Sequence, residues 1–487
     1  MIMKIKNEGF NDSKVMENLF HLTDEIGPRL TGSTGMKKAE EWAKKQLSDW
    51  GLENAAIEPW GGFGKGWENQ KTYLAITAPY YQALIAAPKA WTPGTNGLVK
   101  ANAILVRIDS IQDMAKYAGL LKDKIVVLEP ATADFKMNFN ADAKRLTDEE
   151  LQKIALDPHL EDNPSLSGVK SKAAILKSPA ILRQKIDSFF YAEGVAVVLS
   201  GGRGSMGTVF TSNGASRAWN AKPVTPELEL NGEHLYRLIR LLEANKNVSL
   251  EVEMKNIFLT TDSIENNVIA EIPGTDLKDE IVMLGAHMDS WHASTGTTDN
   301  ATGCAVVMEA VRILKEIGVH PRRTIRIVLW SGEEQGILGS RAYVKKHFGD
   351  KDKRTFKPAY DKISAYFNLD NGAGKIRGIY LQSNDEVRPI FDAWLKPFND
   401  LGATTTTIRN TGSTDHISFD EIGIPGFQFI QDGLEYGSRS HHTNMDSYER
   451  VNPSDLMQAS IIMASFVYHA AMRDEMLPRK PLPKLKK

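Results

Sequence analysis

The chain of 487 residues contains one cysteine, Cys304. A single thiol excludes an intrachain disulfide, and it also excludes a zinc site built from several cysteine thiolates. Cys304 follows a glycine near the start of a predicted helix. We therefore expect it to be a small buried packing residue rather than a reactive one.

Neither charge sign dominates, because Lys and Arg number 59 and Asp and Glu number 61. A balanced chain creates no global field for nucleic acid or anionic membranes, so no nucleic-acid partner is expected. The closest candidate for a transmembrane helix, 73–88, lacks charges but is too short and contains two prolines. The N-terminus lacks the apolar core of a signal peptide. The chain as given is therefore expected to be soluble, without membrane insertion.

The composition is that of a globular protein, with 42% hydrophobic and 25% charged residues. Its length exceeds what one core usually supports, so two or three domains are expected. In the second half, apolar strands alternate with amphipathic helices. Strands are predicted there over 280–286, 324–330 and 363–369, and helices over 304–317, 336–347, 386–395 and 453–472; a further amphipathic helix is predicted near the start of the chain, over 35–51. This alternation predicts an α/β fold with a mixed, largely parallel sheet flanked by helices.

The middle of the chain follows a different pattern. Two short β-prone runs, 124–128 and 194–199, flank a charged stretch without a dependable period. We therefore predict a separate lobe over 95–257, inserted into an α/β domain formed by 1–94 and 258–475. The basic segment 476–487 contains prolines and is predicted to be a solvated C-terminal tail.

Each of the three predicted strands ends directly before side chains that can bind metal ions. His287 and Asp289 follow the first strand, Glu333 and Glu334 follow the second, and Asp370 follows the third. In an open α/β sheet, ligands gather beyond the carboxyl ends of the strands. We therefore expect these side chains to converge on one cleft.

Two further segments contribute candidate ligands. Asp299 lies in a Gly/Thr-rich turn before a predicted helix, and His441 and His442 stand beside another turn. The candidate ligand set comprises two imidazoles and three carboxylates, namely His287, Asp299, Glu334, Asp370 and His442. Zinc accepts nitrogen and oxygen ligands, but five are too many for one tetrahedral ion with an open position. They suit two zinc ions if one carboxylate bridges them.

Two acidic residues in these motifs are expected to act beside the metal ions. Glu333 is predicted to accept a proton from an activated water molecule and to pass it to the leaving amine. Asp289 lies two residues beyond His287 and is predicted to orient that imidazole with its carboxylate. The pattern therefore indicates a hydrolase in which Glu333 is the general base.

In this order, the motifs resemble the co-catalytic di-zinc aminopeptidase family (peptidase family 28), which includes bacterial leucyl aminopeptidases and plasma glutamate carboxypeptidase. The matching elements are His287-x-Asp289, Thr298-Asp299-Asn-Ala-x-Gly303, Ser331-Gly-Glu333-Glu334-x-Gly336, Asn368-Leu-Asp370 and His442-Thr-x-x-Asp446. Segments 26–33 and 413–416 also resemble family signatures. The resemblance covers about 1–94 and 258–475.

The resemblance implies a zinc-exopeptidase fold and a role for each matched ligand. Asp299 is implied as the bridge, with His287 and Asp370 on one zinc ion and Glu334 and His442 on the other. A cis peptide bond after Asp299 is implied as well.

The chain departs from the family at one position. Bacterial aminopeptidases of this type carry a tyrosine directly before the last histidine ligand, where it stabilises the oxyanion. His441 stands there in this chain. Either His441 takes that electrophilic role, or the metal alone holds the oxyanion.

The inserted lobe is similar to a β-rich protease-associated domain in segments 121–127 and 192–198. Such lobes roof or flank the cleft, so we hypothesise that this one limits substrate length. The resemblance also allows a homodimer, and it favours a periplasmic or secreted location.

The motifs predict an exopeptidase that acts on short peptides, and they leave aminopeptidase and dipeptidase action open. One alternative is an acyl-transfer enzyme similar to glutaminyl cyclase, but such enzymes tend to use one zinc ion. Another is a non-catalytic binding ectodomain with the same fold. Proteins of that kind lack several ligands, whereas this chain has all five.

Overall fold

A computed structural model describes residues 1–130, 137, 139–157 and 169–482, with the backbone alone for 169–179. Within these ranges no helix combines the length and the apolar character that crossing a membrane requires. The strands form two eight-stranded sheets and one small hairpin, made of Gly349–Asp350 and Thr355–Phe356.

The first sheet has four neighbouring parallel strands at its centre, here labelled in chain order. They are β1 (Leu277–His287), β2 (Arg323–Trp330), β3 (Ile363–Asn368) and β4 (Gly426–Gln431), in the spatial order β2, β1, β3, β4. Antiparallel pairs flank this centre. The outer strands are Glu53–Gly62 and Ile264–Ile272 beside β2, and Ile376–Tyr380 and Thr405–Thr407 beside β4. The predicted mixed, largely parallel sheet is thus confirmed.

Helices cover both faces of this sheet because its central strands are apolar on both sides. One face carries α1 (Thr302–Glu316), which is buried along almost its whole length under Pro453–Met472. Cys304 is buried in this core, as expected. The α-helices are Ile2–Asn11, Val15–Phe20, Thr34–Asp49, Asp148–Leu156, Val169–Ala192, Gly232–Glu243, α1, Leu338–His347, Arg388–Leu395, His416–Asp420 and Pro453–Met472.

The second sheet is built mainly from the middle of the chain. In spatial order its strands are Gln82–Ala83, Gly66–Ala78, Ser249–Leu259, Val99–Val106, Ile125–Leu128, Val197–Gly201, Glu227–Leu230 and Ala86–Pro88. Its strands begin before position 95, because Gly66–Ala78 pairs antiparallel with Ser249–Leu259. The middle of the chain therefore forms strands as predicted, together with three α-helices in its described part, while the division into 1–94, 95–257 and 258–475 stays a prediction.

The segment 476–487 begins as packed chain, so the prediction of a solvated tail is wrong for its first residues. Leu477 is buried, and Arg479 donates hydrogen bonds to the carbonyls of Tyr360 and Ile363. Lys480 forms an ion pair with Asp420. The buried side chain of Leu477, the hydrogen bonds of Arg479 and the ion pair of Lys480 therefore hold this segment against the first sheet. Residues 483–487 lie outside the described residues.

Candidate metal centre

The ends of the central strands bring the predicted metal ligands to one edge of the first sheet. His287 is the last residue of β1, Glu334 follows β2, and Asp370 follows β3. Because these strands are parallel neighbours, their carboxyl ends lie side by side. The predicted convergence of the three motifs is therefore observed.

Asp299 lies between two histidines and directs one carboxylate oxygen toward each. Its Oδ1 is 3.4 Å from His287 Nε2, and its Oδ2 is 3.2 Å from His442 Nε2. The turn Thr297–Ala301 that carries Asp299 leads directly into α1, and the Asp299–Asn300 peptide bond is cis, as predicted. One carboxylate thus connects two imidazoles from distant parts of the chain.

Each histidine also has a carboxylate of its own. His287 Nε2 is 3.5 Å from Asp370 Oδ1, and His442 Nε2 is 2.9 Å from Glu334 Oε2. The ligand atoms of His287, Asp299 and Asp370 all lie within 4.8 Å of one another. The five side chains therefore form two groups that share Asp299.

Several polar atoms of this cluster are buried without a hydrogen-bond partner. They are His287 Nε2, Asp299 Oδ2 and Glu334 Oε1. Buried polar atoms nearly always have a partner, so unpartnered atoms among acidic groups require an explanation. Imidazole nitrogen and carboxylate oxygen are ligands that zinc accepts. The residues present therefore fit a metal centre.

The electrostatics of the cluster also favour bound cations. Although burial opposes it, the pKa of His442 is raised to about 11 by the charges of Glu334 and Asp299. Burial raises the pKa of Glu334 to about 8, and the charge of Asp299 adds to the effect. Burial alone would raise the pKa of Asp299. Hydrogen bonds and charges from His287 and His442 outweigh that effect and hold the pKa well below its ordinary value. Protons thus offset the excess negative charge, and metal cations would do so in their place.

Glu333 is half-buried and lies beside the cluster. Burial raises its pKa well above the ordinary value; His287 opposes this rise, and the charges of Asp370, Asp415 and Glu334 increase it. The Glu333 main-chain N–H donates a hydrogen bond to Asp289 Oδ1 at 3.2 Å. The predicted general base is thus held next to the ligands by its backbone.

Asp289 contacts His287 chiefly through its main chain. His287 Nδ1 is 2.9 Å from the Asp289 carbonyl oxygen and 3.6 Å from carboxylate Oδ1. The carboxylate also accepts hydrogen bonds from Thr31 Oγ1 and from the main-chain N–H groups of Glu333 and Glu334. The Asp289 carbonyl therefore makes the shorter contact with the imidazole, and the predicted orienting role of the carboxylate stays a prediction.

The loop that carries His442 is held by the middle of the chain. His442 has a left-handed backbone, with φ of 59°, and its carbonyl accepts a hydrogen bond from Thr211 N at 2.8 Å. Asn444 Oδ1 accepts from Val209 N at 2.7 Å, and Asn444 N donates to the Val209 carbonyl. Residues of the predicted lobe therefore position a candidate ligand as well as flanking the cleft.

His441 stacks beside the cluster in a position different from that of His442. Its ring lies 3.9 Å from the His442 ring and 4.8 Å from the Tyr436 ring, measured between centroids. Burial lowers the pKa of His441, although Asp299 opposes the change. His441 Nε2 is 3.9 Å from Asp299 Oδ2, close enough to belong to the same group of possible ligands. Its predicted role in holding the oxyanion stays a prediction.

Tyr436 is a candidate functional residue that the sequence motifs did not reveal. It lines the same cavity as the ligands, and burial together with the charges of Asp299 and Asp370 raises its pKa well above the ordinary value. Its phenol thus stays protonated and can donate a hydrogen bond. It lies outside every recognised motif, so no local signal marks it.

The cluster opens into a cavity of about 490 Å³, called here the acidic cavity. Its lining includes Asp299, Glu333, Glu334, Asp370, Tyr436, His441 and His442. A cleft lined by carboxylates, imidazoles and a neutral phenol can bind a small polar molecule that carries positive charge.

Comparison with known proteins finds relatives for the part of the chain that carries this site. The model of peptidase family M28 matches residues 267–467, a range that contains all five candidate ligands. Over 485 residues the chain is 24% identical to carboxypeptidase Q of the mouse, Mus musculus, and the match covers 98% of this chain and 90% of the mouse protein.

Solved structures show the same architecture. A peptidase M28 precursor from Shewanella amazonensis is similar with a TM-score of 0.69 at 25% identity, covering 99% of this chain and 98% of that chain. BSAP, a zinc aminopeptidase from Bacillus subtilis, has the same fold with a TM-score of 0.59 at 19% identity, covering 94% of this chain and 95% of that chain.

Proposed function

We propose that the chain, whose residues 267–467 match the model of peptidase family M28, is a zinc exopeptidase that releases terminal residues from short peptides with two zinc ions and Glu333 as general base. The observation that carries this proposal is the position of Asp299 between His287 and His442, each with its own carboxylate.

The proposed ligands are divided by their distances. His287 and Asp370 would hold one zinc ion, Glu334 and His442 the other, and Asp299 would bind both. When bound, the ions supply Lewis acidity that polarises the scissile carbonyl and lowers the pKa of a water molecule.

Glu333 moves the proton in this proposal. Its carboxylate lines the acidic cavity and would accept a proton from the attacking water. Because burial and neighbouring carboxylates raise its pKa, Glu333 can retain that proton until the leaving amine takes it. The neutral Tyr436 and His441 would donate hydrogen bonds to the developing oxyanion.

The charge of the acidic cavity indicates which end of the substrate enters it. With zinc ions on the five ligands, Glu333 would be the carboxylate of this lining left to attract a free ammonium group and to repel a carboxylate. We therefore propose that the enzyme cleaves the bond after the N-terminal residue. Both an aminopeptidase and a dipeptidase do this.

Zinc content and peptide hydrolysis, measured together, test the proposal. We expect about two zinc ions per chain in the native protein and in Glu333→Ala, with kcat lowered by roughly 10²- to 10⁴-fold in the variant. The exposed Glu316→Ala is the matched control and should retain activity. Dipeptides with an acetylated amino group should be hydrolysed poorly. Full activity in Glu333→Ala would remove the general base, and one zinc ion per chain would favour a cyclase-like enzyme.

A further inference from the structure

Residues 142–157, here called the clamp segment, belong to the middle of the chain yet lie against the first sheet. Their helix, Asp148–Leu156, packs beside the edge strand Thr405–Thr407. Thr407 Oγ1 donates a hydrogen bond to the Ile154 carbonyl at 2.6 Å. The clamp segment is therefore fixed to the sheet that carries the candidate metal centre.

The first residues of the clamp segment run beside residues 432–442, here called the ligand loop because it ends at the candidate ligand His442. Lys144 N donates a hydrogen bond to the Leu434 carbonyl at 3.0 Å, and Leu434 N donates to the Lys144 carbonyl at 2.8 Å. This exchange is the pairing of two antiparallel strands. It joins the backbones of two segments that are far apart in the sequence.

An ion pair extends this contact toward the acidic cavity. Arg439 is 9% exposed, and its guanidinium donates to Asp142 Oδ2 from Nη2 at 2.5 Å and from Nε at 3.1 Å. The Arg439 carbonyl accepts a hydrogen bond from the Thr443 hydroxyl, and His441 N donates to the Tyr436 carbonyl at 3.0 Å. Arg439 thus lies between the clamp segment and the residues that face the cavity.

Two fully buried carboxylates bind Arg145 of the clamp segment. Arg145 Nη1 is 2.8 Å from Asp432 Oδ2, at the start of the ligand loop, and 2.8 Å from Asp455 Oδ2. Asp432 also pairs with Arg377 at 2.9 Å and accepts Leu146 N at 2.9 Å. Among the described residues, Arg145 is the one cation paired with Asp455. Because a buried carboxylate without a cation is costly, the fold favours the docked position of the clamp segment.

We infer that Asp142 and Arg145 are positioning residues, which hold the ligand loop in place and thereby keep His442 at the metal centre. Neither residue lines the acidic cavity. Asp142 acts through Arg439, and Arg145 acts through Asp432. The expected effect on hydrolysis rests on the proposed function, whereas the expected effect on the ligand loop does not.

The test compares Arg145→Gln, Arg145→Lys and Asp142→Asn with the native protein. The controls Lys153→Gln and Glu149→Gln each neutralise an exposed residue of the same segment. Hydrogen exchange of the peptide 432–442 in the metal-free protein reports on the ligand loop. Competition with a chelator gives the zinc affinity, and hydrolysis of leucyl-alanine by the zinc-loaded protein separates kcat from KM.

We expect the amides of the ligand loop to exchange at least about 10-fold faster in Arg145→Gln and Asp142→Asn, because fewer contacts oppose its opening. Zinc affinity should fall by roughly 10-fold, as for other residues that support a ligand. The kcat should also fall by roughly 10-fold with little change in KM, since the loop positions groups that act in the reaction. Arg145→Lys should recover part of each loss because lysine keeps the positive charge. Both controls should match the native protein.

Exchange at the native rate in both Arg145→Gln and Asp142→Asn would overturn the inference, and so would faster exchange with unchanged zinc affinity. If Arg145→Gln does not fold, Asp142→Asn decides the question, because that variant leaves Arg145 paired with Asp455. If the native protein hydrolyses no peptide, the proposed function is wrong, and the exchange rates and zinc affinities still decide this inference.

Discussion

The Asp446 carboxylate accepts the main-chain N–H of Asp299 at 3.1 Å, so that one buried acid positions another. Its other oxygen accepts the N–H of Thr298 at 2.7 Å. Burial raises the pKa of Asp446 to about 7, and the charge of Asp299 adds to the effect, while these N–H groups oppose it. The proposed bridging ligand is thus held by a residue that is not itself a ligand.

Replacing Asp446 with asparagine should therefore weaken the metal centre. Asparagine offers one acceptor oxygen, so one of the two N–H groups would face an amide NH2. We expect zinc affinity to fall by roughly 10- to 100-fold, the usual cost of losing a supporting residue. Competition with a chelator measures the affinity. The exposed Asp276→Asn should leave it unchanged, and equal affinities in native protein and Asp446→Asn would contradict the positioning role.

The division of ligands predicts different zinc contents for three variants. Asp370→Asn and Glu334→Gln should each lose about one zinc ion per chain, because each carboxylate belongs to one proposed site. Asp299→Asn should lose more, since Asp299 belongs to both. Elemental analysis after dialysis gives the counts. If Asp299→Asn retains two zinc ions per chain, the Asp299 carboxylate is not the ligand that bridges them.

Arg29 should be necessary for the stability of the loop between β1 and α1. Its buried guanidinium donates hydrogen bonds to the carbonyls of Leu22, Gly27, Met288, Thr295 and Gly296. Lysine keeps the positive charge, but its ammonium group cannot reproduce the planar arrangement of N–H donors in a guanidinium group. We expect Arg29→Lys to lower the free energy of unfolding by about 2–4 kcal/mol, measured by urea denaturation. The control Arg322→Lys, on the surface, should change it by less than about 0.5 kcal/mol.

Glu40 and Glu265 form a pair of buried acids whose pKa values predict pH-dependent stability. Burial raises the pKa of Glu40 to about 8 and that of Glu265 to about 7. The folded state therefore binds these protons more tightly than the unfolded state. Their contribution is fully present below the ordinary value of 4.5 and is lost as the pH rises through 7 to 8.

Glu40→Gln keeps this position neutral at every pH. Its melting temperature should fall less than that of the native protein between pH 6 and 9, by on the order of 2 °C. The exposed neighbour Glu41→Gln serves as the control. If the melting temperatures of Glu40→Gln and of the native protein change equally with pH across this range, Glu40 does not titrate there.

The sequence predicted those helices and strands whose pattern of apolar and polar residues is continuous along the chain. The helix predicted over 453–472 is observed as Pro453–Met472, and the three predicted strands are β1, β2 and β3 with shifted ends. These strands are short apolar runs bounded by polar residues, a pattern that neighbours along the chain express. Several strands, including Glu53–Gly62 and Ser249–Leu259, were not predicted, because their pairing partners lie far away in the sequence.

The C-terminal segment and Asp289 also make contacts with residues that lie far away in the sequence. Prolines and cations at the C-terminus are typical of a solvated tail, yet Leu477 is buried against the first sheet. Asp289 stands two residues from His287, which favours a carboxylate contact. That carboxylate also binds Thr31 and the Glu333–Glu334 loop, and neither is near Asp289 in the sequence.

By itself, the sequence determined the chemistry available to this protein, because ligand types and their positions after apolar strands are local properties of the chain. It thereby indicated the fold class, the five candidate ligands and Glu333. Only the tertiary structure decided how they are arranged. Asp446 reaches Asp299 across 147 positions, and Arg217 and Gln335 line one cavity although two different parts of the chain supply them. Such contacts depend on how distant segments of the chain come together, and no local pattern contains that information.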